Sequence, residues 1–282
     1  MRKYFLLFFT LLFSLLFVGC GYTMPTPQER VQNIKNLTQS SKLSMRVYAT
    51  SLFEIMAYTS DLTSCSDKNV HIYIEGDGLA WISSQRVSDN PTPINPLALK
   101  LALQDAHPCV VYISRPCQYV GSAKCEQKYW TSHRYAPEVI GSYNEILNDI
   151  KSNYTTGSFS LFGYSGGGAI VALLSTQRND VRQFVTIAGN LDTRYWSNLH
   201  HLKPLFGSLN PADFSDKLSK INQYHLIGGK DKIIDESVFI SYKNNFKDSS
   251  KINHKIFKEF THNCCWDEQW KTILENILKI KD

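Results

Sequence analysis

Residues 159–169 read Phe159-Ser160-Leu161-Phe162-Gly163-Tyr164-Ser165-Gly166-Gly167-Gly168-Ala169. Small and bulky side chains alternate up to Gly163, as a sheet strand allows, and Ile170-Val171-Ala172-Leu173-Leu174 follows as a continuously apolar, buried helix. Between the two, a Gly-x-Ser-x-Gly turn sets a serine on a sharp strand-to-helix junction, where its hydroxyl projects at the top of a sheet as a nucleophile. With 28 serines and 15 glycines in 282 residues, composition alone yields roughly 0.08 such pentapeptides. A glycine-rich turn with an incidental serine is the competing reading, and the partners of Ser165 decide between them.

Outward from this junction, strand and helix patterns alternate. Residues 43–50 and 52–59 read as two paired strands. Val70-His71-Ile72-Tyr73-Ile74 is a short apolar strand ending in Glu75-Gly76-Asp77-Gly78. A helix is predicted over 96–106, a strand over 109–114, and a helix from Pro137, which suits a first helical turn, to about 152. After the serine come a strand at 184–189, another at 222–229, a helix at 236–246 and a last strand at 252–260. The chain closes as an amphipathic helix over 266–280, with Trp270, Ile273, Leu274, Ile277 and Leu278 on one face. This order predicts an α/β fold with a mostly parallel central sheet covered by helices on both faces.

Residues 1–20 stand apart. Arg2 and Lys3 form a basic start, residues 4–18 are almost wholly apolar, and Val18-Gly19-Cys20 closes the segment. That is the layout of an export signal. Cys20 after Val-Gly resembles the lipobox of bacterial lipoproteins, in which the cysteine becomes the lipid-modified first residue; Phe17 departs from the usual leucine. A retained signal-anchor helix is the alternative, and both place the domain outside the cytoplasm, on the cell envelope. Residues 21–36 read as a tether and N-terminal segment, because prolines in Met24-Pro25-Thr26-Pro27 oppose regular structure. The remaining residues, 37–282, are predicted to form one domain. No other apolar stretch is long enough to cross a bilayer.

The chain carries 30 basic and 25 acidic residues, and no basic run interleaved with aromatics, so nucleic acid is not an expected partner. Six cysteines besides Cys20 are an even number in an exported chain, which favours disulfides. Cys117 and Cys125 flank a polar loop, and Cys65 and Cys109 each precede a core strand; Cys264 and Cys265 then form a vicinal bridge or stay reduced. Six cysteines allow 15 pairings, among which spacing does not choose. No Cys-x-x-Cys or His-x-x-x-His spacing points to a metal, and no cofactor is expected.

The whole exported chain resembles the α/β-hydrolase fold: two leading antiparallel strands, then repeating strand-helix units with Gly-x-Ser-x-Gly after the fifth strand. It is similar in particular to exported bacterial serine hydrolases bearing Gly-Tyr-Ser-Gly-Gly-Gly, Ala-Gly-Asn-Leu-Asp and Ser-Leu-Asn-Pro, here residues 163–168, 188–192 and 208–211. The resemblance implies a Ser, Asp or Glu, then His chain order. Of the five histidines after Ser165, His225 and His254 fall inside predicted strands, and His200 and His201 lie in the insertion after the sixth strand. His262 follows the last strand, where such a fold presents its base. Asp231, just past Gly228-Gly229, ends the preceding strand and is the expected acid; Asp235, a natural helix N-cap, and Asp192 are the alternatives. The backbone N–H of Gly166 is the expected first oxyanion donor. By similarity to His-Gly-x-Gly loops the Asp77 N–H is the second, with Glu75 in place of the histidine and the Asp77 carboxylate turned away.

Residues 190–216, with Tyr195, Trp196, His200, His201 and Phe206, are read either as a small cap over the site or as a surface loop packed through its aromatics. Tyr164, Arg115 and Trp196 are candidate substrate contacts, and Arg115, Arg134 and Tyr135 are candidates to anchor an acidic or peptide group. The expected activity is hydrolysis of a carboxylic ester or thioester through an acyl-enzyme. A serine peptidase or amidase with the same triad, and an inactive lipoprotein binding module, are the competing readings.

Overall fold

The structure, a computed structural model, describes residues 23–278. The segment 1–20 read as an export signal, with Cys20, lies outside the described residues, as do residues 279–282.

Eight strands build one sheet: β1 (Ser44–Ala49), β2 (Glu54–Thr59), β3 (Asn69–Ile74), β6 (Val110–Ile113), β7 (Ser158–Tyr164), β8 (Val181–Ile187), β9 (Asn222–Gly228) and β10 (Ile252–Phe257). A small hairpin, β4 (Trp81–Ser83) with β5 (Arg86–Val87), branches off the loop after β3. The order across the sheet is β1-β2-β6-β3-β7-β8-β9-β10. The first two strands pair antiparallel, β2 also runs antiparallel to β6, and every later pairing is parallel. Within this sheet the strand leading into Ser165 is the fifth, at the centre, between β3 and β8.

The helices are α1 (Pro27–Thr38), α2 (Leu97–Gln104), α3 (Pro137–Tyr154), α4 (Gly166–Ser175), α5 (Thr193–Leu199), α6 (Ser215–Leu218), α7 (Glu236–Lys243) and α8 (Trp266–Thr272), the last running on into a π-helical turn at Ile273–Leu278. None is long and apolar enough to cross a membrane among the described residues. Because successive strand side chains point to opposite faces, β3 feeds two cores. Val70, Ile72 and Ile74 join the apolar faces of α3 and α4, including Val139, Ile146, Ile170 and Leu174. Tyr73 enters the other layer with α2 and α8, stacked on Phe162 at 4.5 Å and receiving the Trp270 indole N–H at 3.3 Å.

Four features depart from the sequence reading. The last strand stops at Phe257, where Phe260 N–H closes a turn onto the Phe257 carbonyl, and α7 ends at Lys243. The hairpin β4–β5 is not foreseen. The boundary at residue 37 is also too late. Thr26 caps α1 and exchanges both bonds of a capping box with Glu29, so Pro27 starts a helix instead of breaking one. Ile34 is buried, and the Arg30 guanidinium donates to the Thr92 and Asn90 carbonyls, binding α1 to the body of the domain.

The cysteines pair as Cys65–Cys109, Cys117–Cys125 and Cys264–Cys265. The first joins the starts of two core strands across 44 residues of chain, worth about 4 kcal/mol in the loop-entropy picture.

Candidate active site

Ser165 sits at φ 51°, ψ −115°, a backbone state that L-residues avoid and that the surroundings must impose. Its N–H is held by the Ile187 carbonyl at 2.9 Å, and its own carbonyl accepts from Gly168 and Asn190. A side chain on Gly163 would strike the Gly167 carbonyl, so only glycine lets β7 turn this tightly into α4. The turn lifts the serine hydroxyl off the carboxyl end of the sheet, where open α/β sheets offer a crevice.

His262, 97 residues downstream, meets it there. Its Nε2 lies 3.0 Å from Ser165 Oγ and its Nδ1 lies 2.8 Å from Asp231 Oδ2. The Asp231 side chain is fully buried, and its other oxygen accepts the Ile233 and Ile234 N–H groups at 2.8 and 2.9 Å. Those bonds orient the carboxylate and help to hold its charge away from water. Serine, imidazole and carboxylate are thus in line. The alternative acids are occupied elsewhere: Asp235 caps α7, and Asp192 caps α5 while bonding Asn210 and Ser241.

Three of the other four histidines after the serine are engaged elsewhere. His225 is bonded by Thr186 and Gln223, and burial pushes its pKa down to about 3, so it stays neutral. His254 lies against Phe239, and His200 bonds the Ile233 carbonyl.

Gly166 opens α4, and its N–H and that of Asp77 donate to no acceptor among the described residues. The Asp77 side chain, expected to turn away, instead lies against Gly166, where an added Cβ would run into it. Its charge is met rather than removed. Arg115 Nη1 reaches Oδ1 and Arg134 Nη1 reaches Oδ2, both at 2.6 Å, and the Tyr135 hydroxyl adds a bond at 3.1 Å. Burial pushes the Asp77 carboxyl up, but Arg134 and Arg115 outweigh it and hold it below the ordinary range. Arg115 also donates to the Arg134 carbonyl. It is therefore committed to the loop, and a direct substrate contact is not its role.

Two further residues brace the loop, Gln118, which the sequence reading passed over, and Glu75, which it placed where similar loops carry a histidine. Gln118 donates to the Gly76 carbonyl at 3.0 Å while accepting from the Arg115 N–H. Glu75 is buried and accepts from the Gly76 N–H, the Ala98 N–H at the start of α2 and the Tyr112 hydroxyl. Burial raises its pKa to about 7. The neighbouring candidate contact Tyr164 is also turned inward: its hydroxyl bonds Asn263 Oδ1 at 2.6 Å and the His262 carbonyl at 3.3 Å.

Trp196, on α5, does border the site. Its indole N–H donates to the Ile233 carbonyl at 2.8 Å, and the Arg134 guanidinium lies 5.8 Å from its ring centre. Contacts therefore run from Ser165 through His262, Asp231 and Ile233 to Trp196, and on through Arg134 and Asp77 to Gly166. Residues 190–216 supply one arc of that rim. Two surface depressions of about 460 and 410 Å³ lie elsewhere, against Asn144, Arg178 and Asp180 and against Arg46, Glu145 and Asp149, and neither holds a residue of the Ser-His-Asp line.

This topology, with Ser165 on the turn after the fifth strand and Asp231 and His262 after the last two parallel strands, is decisive for the architecture. The chain has the α/β-hydrolase fold. An esterase from Pyrococcus furiosus aligns with a TM-score of 0.60 at 13% identity, over 91% of this chain and 96% of that one. Est1E from Butyrivibrio proteoclasticus aligns at 0.57 and 12%, over 83% and 98%. The acylaminoacyl peptidase of Pyrococcus horikoshii aligns at 0.60 and 12%, over 86% of this chain and 42% of the peptidase. At such identities the likeness is one of α/β-hydrolase architecture. No protein-family model matches the sequence, and no curated protein matches it.

Proposed function

We propose that this protein is a serine hydrolase that cleaves carboxylic esters or thioesters through an acyl-enzyme. The observation that carries the reading is the 3.0 Å contact between His262 Nε2 and the hydroxyl of a serine held on a strained turn. A free serine hydroxyl is a weak nucleophile. As Oγ attacks the acyl carbon, His262 Nε2 takes its proton, and Asp231 fixes the imidazole tautomer and stabilises the imidazolium. The Gly166 and Asp77 N–H groups receive the oxyanion, a contribution of about 2.7–4 kcal/mol for one donor in a comparable protease site. His262 then returns the proton to the leaving group, and water repeats the sequence to release the acid.

Esters are favoured over amides because the aligned Pyrococcus furiosus protein is named an esterase. The similarity to an acylaminoacyl peptidase keeps amide bonds as the second reading. Matched 4-nitrophenyl esters and 4-nitroanilides of short acids separate the two. Ester turnover lost in Ser165→Ala, with anilides untouched, is expected; anilide turnover at comparable rates would replace the ester reading. The filled Ser, Asp and His positions argue against an inactive binding module.

We further infer attachment to the bacterial envelope through lipid on Cys20, from the basic start, the apolar run and Val18-Gly19-Cys20. Incorporation of an alkynyl palmitate into the full-length chain, abolished by Cys20→Ala, is the expected result. Equal incorporation by both chains would overturn it.

A further inference from the structure

Arg115 and Arg134 share one carboxylate, yet their outer atoms differ. Arg115 is sealed: Nη1 is on Asp77, Nη2 on the Arg134 carbonyl, and the buried Nε has no partner among the described residues. Arg134 spends Nη1 on Asp77 and Nε on the Thr131 carbonyl, whereas Nη2 meets no acceptor among the described residues and is not among the occluded atoms. The side chain is 7% exposed, and the free nitrogen is not fully occluded.

Charge counts the same way. Two permanent guanidinium cations face one Asp77 carboxylate, both of whose oxygens are already bonded, so one positive charge is left over. That surplus stands one carboxylate away from Gly166, the residue after the nucleophile. The Trp196 ring, pinned by its bond to Ile233, forms the apolar wall beside it.

We propose that Arg134 Nη2 and the Trp196 face form a specificity subsite for a carboxylate on the substrate, a few bonds from the scissile ester, with the intervening methylenes lying along the indole. A monoanion matches the single surplus charge, whereas a phosphate carries about −1.5 to −2. This rests on the hydrolase reading above. Arg134 is a substrate-binding group in it; Arg115 is a positioning residue that acts through Asp77.

The test compares kcat/KM for 4-nitrophenyl hemisuccinate and hemiglutarate with the neutral butyrate and valerate esters, placing the carboxylate on the acyl side. A second arm compares 4-acetoxybenzoate with 4-acetoxybenzamide, placing it on the leaving group. The wild type is expected to favour the anionic member about tenfold or more in at least one arm, mainly through KM, as a charged hydrogen bond warrants. Arg134→Gln should bring that ratio to about one, and Arg134→Lys, which keeps the charge but not the fork, to an intermediate value. The wild-type ratios need no variant to fold. Neutral esters favoured in both arms by an active wild type would overturn the subsite alone, as would an unchanged preference in folded Arg134→Gln. If no ester is turned over and no fluorophosphonate label is taken up, the hydrolase reading itself fails and the subsite with it.

Discussion

The Tyr164 hydroxyl donates to Asn263 Oδ1 at 2.6 Å, so the residue before the serine is tied to the residue after the histidine. The same hydroxyl lies 3.3 Å from the His262 carbonyl, which also accepts the Trp266 indole N–H. His262 is thereby registered against Ser165 across 97 residues of sequence by groups that touch neither the Ser165 hydroxyl nor the imidazole nitrogens. Tyr164→Phe keeps the packing and removes the bond. We expect kcat for a neutral ester to fall about threefold to tenfold with KM little changed, as for loss of one net hydrogen bond. An unchanged kcat would show that packing alone holds the loop.

Asp231→Asn should preserve shape while offering an amide in place of a carboxylate to His262 Nδ1 and to two backbone N–H groups. By analogy with the protease triad, a loss of about 10⁴ in kcat is expected. Circular dichroism and the urea midpoint establish that the variant is folded. A loss under tenfold would remove Asp231 from the catalytic line.

The Asp77 cluster makes a stability prediction. Replacing Arg115 by Met removes one of two cations from a buried carboxylate and should cost about 3 kcal/mol in urea unfolding, at the lower end for a broken buried pair because Arg134 remains. A cost below 1 kcal/mol would mean that Arg134 and Tyr135 suffice.

Glu75 makes a pH prediction. Its pKa rises from an ordinary 4.5 to about 7 on folding, chiefly through burial. Between these values the folded state binds the extra proton, so stability is greatest below about pH 4.5 in this contribution and is lost as pH rises through 7. The span is worth about 3 kcal/mol at most. Glu75→Gln should flatten the stability profile between pH 5 and 8 and raise stability at pH 8 relative to wild type. A wild-type profile with the opposite slope, unaltered in Glu75→Gln, would contradict this.

How legible the site was depended on sequence distance. The serine turn is contiguous, and its glycines record the steric demand directly, so the sharp turn at Ser165 is legible from 163–168. That Asp231 and His262 come to meet it is legible because each follows a parallel strand, and an α/β sheet presents strand ends on one side. The Asp77 cluster was not readable. Its members come from positions 77, 115, 134 and 135, whose meeting depends on loops with no periodic signal. From sequence alone Arg115 therefore reads as a substrate contact, and the Asp77 carboxylate as a charge to be turned away. Helix α1 was hidden for a local reason: Thr26-Pro27-Gln28-Glu29 is both a proline-bearing tether and a capping box, and only the burial of Ile34 and Arg30 decides.

The central claim is that Ser165 is a nucleophile activated by His262. The most direct measurement is fluorophosphonate labelling of the oxidised domain without its first 20 residues, read by intact mass and peptide mapping, beside Ser165→Ala and His262→Ala. One adduct on Ser165 in the wild type, none in Ser165→Ala and at least a hundredfold slower labelling in folded His262→Ala are predicted. No adduct on folded wild type, or an adduct on another residue, would contradict the account.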